Sequence, residues 1–444
     1  MTIPHDPARV ASILLSQHDS TLISCKTIQR LWAGYGQICS VTARANSDAA
    51  ATHLHSLCHS KANSKSSAKA GDSFQLILKL ISAPKGSSSA AGRGRPDEGH
   101  LRKMFSYEVE QFFYGHIVPR LDGLGVAKCL ASTSGSDSDD PDDDSDQLSG
   151  CMAILMADLR AMYPVSGEKR GVLSSAQVFG SLAWLASFHA RSWGLGLVSV
   201  REGQYILPPL EEYSRRGAEK LELEGASQSH ANVWLNGGYT YLATRRKEYD
   251  SLVEDDSSEW SAAFCSPFAS SGPSSTAELA ALCLAPRGRA MESLIHGDVK
   301  SENLFTSESG DDVAFFDFQY VGLGLGVCDL AKLFTCSVPV DMLLGGESRS
   351  GDYRDLPDSL DMCAGEKILL ERYRASLLRG KGEGFYDWDL LVRHWETALV
   401  DWCRFQASWG FWGNTEWLEA RVRSILADQG WRNWLEDDIK KIQV

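Results

Sequence analysis

The sequence lacks several features that would settle its chemistry at once. It has no long apolar run: its longest stretches, such as Met152 to Met156, fall far short of the roughly 20 residues a membrane-spanning helix needs, so no membrane insertion is expected. Its eleven cysteines stand singly, with no C-x-x-C pair and an odd total. That pattern excludes a disulfide framework and a cysteine zinc site, and it fits reduced thiols in the cytoplasm. The opening Met1-Thr2-Ile3-Pro4-His5-Asp6 has no basic stretch ahead of an apolar core, so no secretory leader is expected. Positive charge is also short, with 44 Lys and Arg against 58 Asp and Glu and a formal net charge of −14. A nucleic-acid backbone or an anionic membrane surface is therefore a poor partner. No internal repeat is visible.

What is present is ordinary in bulk and specific in one place. With 444 residues, 43% hydrophobic and 23% charged, the chain is long enough for two lobes, each with its own core. The specific place is Leu294-Ile295-His296-Gly297-Asp298-Val299-Lys300-Ser301-Glu302-Asn303, followed by Phe315-Phe316-Asp317-Phe318-Gln319. It reads as a strand, a tight turn carrying Asp298 and Asn303, and a β-hairpin ending in Asp317. Transfer of a phosphoryl group from Mg-ATP needs that set: one carboxylate beside an acceptor hydroxyl, then an amide oxygen and a second carboxylate for the metal. An isolated turn Asp commonly does no more than bond turn amides. Three polar positions in register, each after an apolar strand, argue against that here.

These residues resemble the aminoglycoside phosphotransferase/choline kinase superfamily, whose hallmark is H-G-D-x-x-x-x-N followed by a D-F-G-like triplet. The Asp317-Phe318-Gln319 variant looks most like the ecdysteroid-kinase-like small-molecule kinases. Protein kinases write the loop with Arg after the His; Gly297 stands there in this chain. The resemblance implies an α+β, protein-kinase-like bilobal fold: an antiparallel-sheet N-terminal lobe over residues 1–157 and a mainly helical C-terminal lobe over 158–444. It implies ATP and Mg2+ as cofactors and a small hydroxylated molecule as acceptor, whether an amino alcohol, a steroid-like alcohol or an aminoglycoside-like sugar.

By the same resemblance Asp298 is the catalytic base, while Asn303 and Asp317 hold metal. Lys300 stands where many protein serine/threonine kinases carry a lysine facing the γ-phosphate, though many of the small-molecule kinases differ there; it is either a contact for the transferring phosphate or an exposed loop lysine. Lys79 sits in the strand-like run Phe74 to Ile81 among apolar neighbours, where an unpaired charge costs several kcal/mol. The family pattern gives it the nucleotide phosphates and an orienting helix glutamate, Glu110 by preference and Glu108 otherwise. Gly34 and Gly36, between two strands, could offer backbone amides to the phosphates. His296 and His189 read as structural, and Asp329 as a tie between the Gly322–Gly326 segment and the catalytic loop. Trp395, Trp402 and Trp409 form a helical stripe near Asp401 and Glu396. It is either core or an aromatic pocket for an amine.

The remaining expectations concern organisation. Residues 31–45 read as strand, turn, strand, and helices are expected from Leu101 to about Ile117, over 176–193, near 210–223 and near 239–252. Ser-rich or acidic surface loops are expected at 46–72, 83–99, 131–149 and 254–276. Two rival functions stand beside the small-molecule kinase: a protein serine/threonine kinase, opposed by Gly297 and Gln319, and an inactive nucleotide-binding pseudokinase.

Overall fold

A computed structural model describes residues 6–59, 68–84, 97–133, 148, 150–195, 205–222, 232–268, 274–346 and 356–442. They form two compact units, Met1–Pro164 with Pro208–Val233, and Val165–Leu207 with Trp234–Val444. The division expected after residue 157 thus falls at Pro164, and a later stretch returns to the first unit. Periodicity marks such a stretch as helical but cannot say which core it joins.

The first unit begins with helix α1 (Pro7–Ser16), capped by Asp6, whose carboxylate accepts the Ala8 and Arg9 amides. Then come β1 (Ser20–Arg30), β2 (Gly36–Ala45), α2 (Asp48–Cys58), β3 (Ser73–Ile81), α3 (Glu98–Phe112), β4 (Cys129–Ser132) and β5 (Met152–Ala157). The five strands form one antiparallel sheet in the order β1-β2-β3-β5-β4. Phe74, Leu76, Leu78 and Leu80 alternate onto the face that packs with Val10, Leu14, Leu15, Leu54 and Leu155. Each such side chain contributes about 1.5–3 kcal/mol on burial. β3 is the central strand, so Lys79 is held in the middle of the sheet, opposite Ile38 and Ile154.

Two expectations need correction here. The loop expected at 46–72 contains α2, started by Ser47, whose hydroxyl accepts the Ala50 amide. Its buried stripe is Ala50, Ala51, Leu54, Leu57 and Cys58; two alanines and a cysteine carry too little hydropathy to stand out in a Ser- and Ala-rich stretch. The first strand expected within 31–45 lies earlier, at Ser20–Arg30, and residues 31–35 make the turn. Most of the loops expected at 83–99 and 131–149 lies outside the described residues.

The second unit opens with β6 (Val165–Ser166) and α4 (Ser175–Ser192). A reciprocal cap between Ser174 and Gln177 starts α4. The chain then supplies α5 (Pro209–Glu222) to the first unit and returns for α6 (Arg246–Val253), α7 (Glu259–Cys265) and α8 (Thr276–Leu284). The helix expected near 239–252 therefore starts only at Arg246, and the loop expected at 254–276 holds α7. Strands β7 (Ser293–Ile295), β8 (Leu304–Thr306), β9 (Val313–Phe315) and β10 (Gly322–Gly324) form two small sheets, β6-β8-β9 and β10-β7. Helices α9 (Val327–Cys336), α10 (Val340–Leu344), α11 (Ala364–Leu377), α12 (Trp388–Trp409), α13 (Thr415–Ala427) and α14 (Gln429–Lys440) complete it.

One buried polar knot ties three of these helices. Glu366 on α11 accepts from Trp395 Nε1 on α12 and from Arg421 Nε on α13, each at 2.8 Å. Among the described residues no helix is long and apolar enough to cross a membrane. An antiparallel five-stranded sheet with its helix α3, and a helical unit built around short catalytic-type hairpins, make this a protein-kinase-like fold.

Candidate active site

β7 ends at Ile295, and the chain turns through residues 296–300 into a short 3-10 turn and β8. The turn is fixed from below by Asp329 of α9, fully buried, whose two carboxylate oxygens accept the His296 and Gly297 amides at 2.7 and 2.9 Å. Burial opposes its charge, but the His189 hydrogen bond, with His296 and Lys332 nearby, keeps its pKa below the usual value. His189 also meets the Tyr373 hydroxyl at 2.7 Å. The expected structural roles of Asp329 and His189 match these contacts.

His296 is fully buried, and its Nε2 lies 2.9 Å from the Phe316 carbonyl while its Nδ1 accepts the Asp298 amide. A carbonyl only accepts, so the ring is the neutral Nε2–H form. Burial holds its pKa below the ordinary value, in keeping with a neutral strut.

The polar side chains then converge. Asn303 Nδ2 donates to the Asp298 carbonyl at 2.8 Å and to Asp298 Oδ2 at 2.9 Å. Lys300 Nζ lies 3.1 Å from the same Oδ2 and 3.0 Å from Glu302 Oε1. Burial works against the Lys300 charge, yet the Asp298 and Glu302 carboxylates raise its pKa above the ordinary value. Both donors crowd one oxygen of Asp298, which leaves Oδ1 directed elsewhere. Both amide hydrogens of Asn303 are used, which leaves its Oδ1 as an acceptor.

Gly297 is required for this loop. Its φ is +83°, and a Cβ would lie 2.4 Å from the Tyr320 carbonyl and 2.7 Å from the Gly238 amide nitrogen. An arginine at this position has no room. Gly297→Ala is expected to cost at least about 1–3 kcal/mol of local strain and to cut turnover sharply. Retention of wild-type turnover and melting temperature would contradict that packing.

The hairpin joins the loop through Phe316, whose amide donates to the Asn303 carbonyl at 3.0 Å. Asp317 follows in the left-handed region, φ +66°, a costly conformation that an Asp tolerates better than most residues. Gln319 Nε2 donates to Asp317 Oδ1 at 2.7 Å. The residue that departs from D-F-G thus orients the aspartate, a role the motif alone did not disclose. Phe318 is buried and packs against His296 with ring centroids 4.6 Å apart. The oxygen donors of Asn303 and Asp317 suit magnesium, which takes one or two protein oxygens together with phosphates and waters.

Within the first unit Lys79 Nζ lies 2.6 Å from Glu110 Oε2, both nearly fully buried. Glu108, the alternative partner, bonds Arg216 instead, at 2.8 Å. Gly34 and Gly36 occupy the tip of the β1–β2 hairpin with φ of +75° and +136°. A Cβ on Gly36 would overlap the Leu80 carbonyl at 2.1 Å, so close packing on β3 by itself calls for glycine there. The tip is pinned to α3 by the Tyr35 hydroxyl on His100 Nδ1 at 2.8 Å, and by Lys103 over the Tyr35 and Trp32 rings. The structure therefore gathers Asp298, Lys300, Asn303 and the Asp317 hairpin in the second unit, and Lys79 with Glu110 in the first.

Further residues adjoin the loop that sequence reading missed. Lys332, one turn after Asp329 on the otherwise apolar α9, is buried and donates to the Gly297 carbonyl at 2.6 Å. Its ammonium lies 5.7 Å from the Tyr239 ring centre and 5.9 Å from that of Trp402. Burial, then the charge of Asp298, raises the Tyr239 pKa well above normal. Gly238 leaves room for the Lys332 ammonium, since a Cβ there would lie 2.9 Å from it. The preceding Trp234 donates its indole N–H to the Gln319 carbonyl at 2.9 Å. A lysine inside an apolar helix and a Gly-Gly pair were the available signals.

The aromatic stripe divides. Trp395 and Trp402 are buried, whereas Trp409 is 56% exposed under the Arg245 guanidinium. Asp401 is paired with Arg404 and Glu396 with Arg393.

The family model described as the ecdysteroid kinase-like family matches residues 93–346 of the chain. Among solved structures, the chain is similar to a choline kinase from Cryptosporidium parvum Iowa II, at 11% identity, TM-score 0.36, 94% of this chain and 90% of that one. An ethanolamine kinase from Plasmodium vivax is 10% identical, TM-score 0.35, over 94% and 84%. The GDP complex of wild-type aminoglycoside 2'-phosphotransferase-IIIa is 12% identical, TM-score 0.38, over 98% of each. No curated protein matches the chain.

Proposed function

The chain belongs to the ecdysteroid kinase-like family of small-molecule kinases, and on that premise we propose that it moves the γ-phosphoryl group of ATP, with magnesium, onto a hydroxyl of a small acceptor. The observation that carries this reading is Asp298. Its Oδ2 is taken by Asn303 and Lys300, which leaves Oδ1 to accept or orient the acceptor's hydroxyl proton. Lys300, kept protonated by two carboxylates, would meet the negative charge of the transferring group. Asn303 Oδ1 and the Asp317 carboxylate would hold the metal, which neutralises phosphate charge when bound. Lys79, oriented by Glu110, would bind the α- and β-phosphates.

The surroundings of Asp298 bear on the acceptor. Four aromatic rings of this unit already carry the chain's own cations: Lys332 over Tyr239 and Trp402, Arg245 over Tyr239, Phe405 and Trp409. Glu396 and Asp401 on α12 are paired with arginines. A second cation there would meet repulsion, so an uncharged alcohol fits better than choline or ethanolamine.

Incubation with γ-labelled ATP and a mixed metabolite extract tests the proposal. Label in a small, uncharged molecule supports it; label in protein alone, or in choline, overturns the corresponding part. Asp317→Ala is expected to weaken the magnesium-dependent part of ATP binding by about tenfold or more, since a charged ligand is lost. Unchanged magnesium dependence would remove Asp317 from the metal site.

A further inference from the structure

We propose that α5 is a built-in clamp on α3 and that Arg216 is a positioning residue for the Lys79–Glu110 pair. This rests on the reading that the pair binds ATP phosphates. The chain leaves the second unit at Pro208 and returns to it at Trp234; between these points α5 packs on α3. Among the described residues one guanidinium there is used three ways. Arg216 Nε bonds Glu212 Oε1 at 2.7 Å on its own helix, Nη2 bonds Glu108 Oε2 at 2.8 Å on α3, and the plane lies 4.4 Å from the Phe105 ring centre.

Glu212 is fully buried and is also held by Arg215 at 2.7 Å. A buried carboxylate is tolerated only with such partners, so Glu212 fixes the Arg216 guanidinium before it reaches α3. The pre-set fork spends little side-chain freedom in gripping Glu108.

Glu108 precedes Glu110 by two residues, about 200° around the helix. Arg216 therefore grips α3 on the face opposite the one that presents Glu110 to Lys79. Packing on that outer face presses Glu110 toward β3, where its Oε2 meets Lys79 Nζ at 2.6 Å. Other contacts also hold α3 in the same unit, among them Tyr35 on His100 at its start, and Gln111 Nε2 on the Ala153 carbonyl at 3.1 Å. Losing the clamp alone should loosen α3 without unfolding it.

The test is Mg-ATP binding to the full chain by titration calorimetry, with a melting temperature for each variant. Lys79→Met is the reference and is expected to weaken binding by about tenfold or more. Glu108→Gln and Arg216→Gln should each weaken it by about three- to fivefold, what a partly exposed ion pair can transmit. The double variant should be no weaker than either single one, and Arg216→Lys should recover only a minor part of the loss, since an ammonium cannot span Glu212 and Glu108 and stack on Phe105 as the guanidinium does. Unchanged binding in Lys79→Met would overturn the nucleotide reading itself. Loss in Lys79→Met, with wild-type binding in Glu108→Gln and Arg216→Gln, would overturn the clamp alone. Additive losses that track falling melting temperatures would also overturn it, reducing the contact to general stability.

Discussion

Asp298→Asn is expected to lower turnover by about a thousandfold, the range a positioned general base supplies, while leaving ATP affinity within about twofold of wild type. The amide keeps the shape of the carboxylate, and its oxygen can still accept from Asn303. The loop's other ties do not involve this side chain: Asp329 on the His296 and Gly297 amides, and Lys332 on the Gly297 carbonyl. What the change removes is the negative charge that partners Lys300 and that, on the proposed reading, would draw the acceptor proton. Single-turnover transfer and equilibrium nucleotide binding, measured on the same preparation, separate the two effects. Near-wild-type turnover would show that Asp298 is not the catalytic residue. Equal loss of binding and turnover would show that it serves the fold of the loop instead.

The largest effect on stability should come from Arg421→Met. Arg421 and Glu366 are 2% and 0% exposed, and Arg421 also donates to the Leu360 carbonyl at 2.8 Å. Deleting the cation strands a buried carboxylate that keeps, among the described residues, only the Trp395 indole N–H as donor. Breaking a buried pair from one side costs about 3–5 kcal/mol, or roughly 10 °C in melting temperature for a unit of this size. Adding Glu366→Gln to Arg421→Met should recover part of that loss, because no unpaired charge remains buried. Denaturant unfolding of the two variants decides it: a cost below about 1 kcal/mol, or a double variant worse than the single, would show that the knot contributes little.

The catalytic hairpin was legible because its chemistry is local. Leu294-Ile295 and Val313-Ala314-Phe315 alternate into strands too short to vary much, and the polar residues follow at fixed offsets. That Lys79 needs an acidic partner was legible for another reason: an unpaired lysine among apolar strand neighbours is costly, and the family resemblance offered Glu110 first and Glu108 second. Helix α2 was not legible, because its stripe of small residues becomes hydrophobic only when a sheet lies over it. Gln319 was visible as a departure from a motif, but its bond to Asp317 depends on a left-handed backbone that no residue count reveals.

The sequence by itself determined most of the residues that can do chemistry, the strands around Lys79, Asp298 and Asp317, the helix of Glu110, and the family. Periodicity and short-range spacing are properties of one segment, and a segment's own physics decides them. Only the tertiary structure decided that Glu110 rather than Glu108 faces Lys79, that Arg216 takes Glu108, that α5 joins the first unit, and that Lys332 lies over Tyr239 and Arg245 over Trp409. Each of those is a choice among several carboxylates, cations or cores that would serve equally well locally. It is settled by which partner the packed chain brings within hydrogen-bond reach while both groups are out of water.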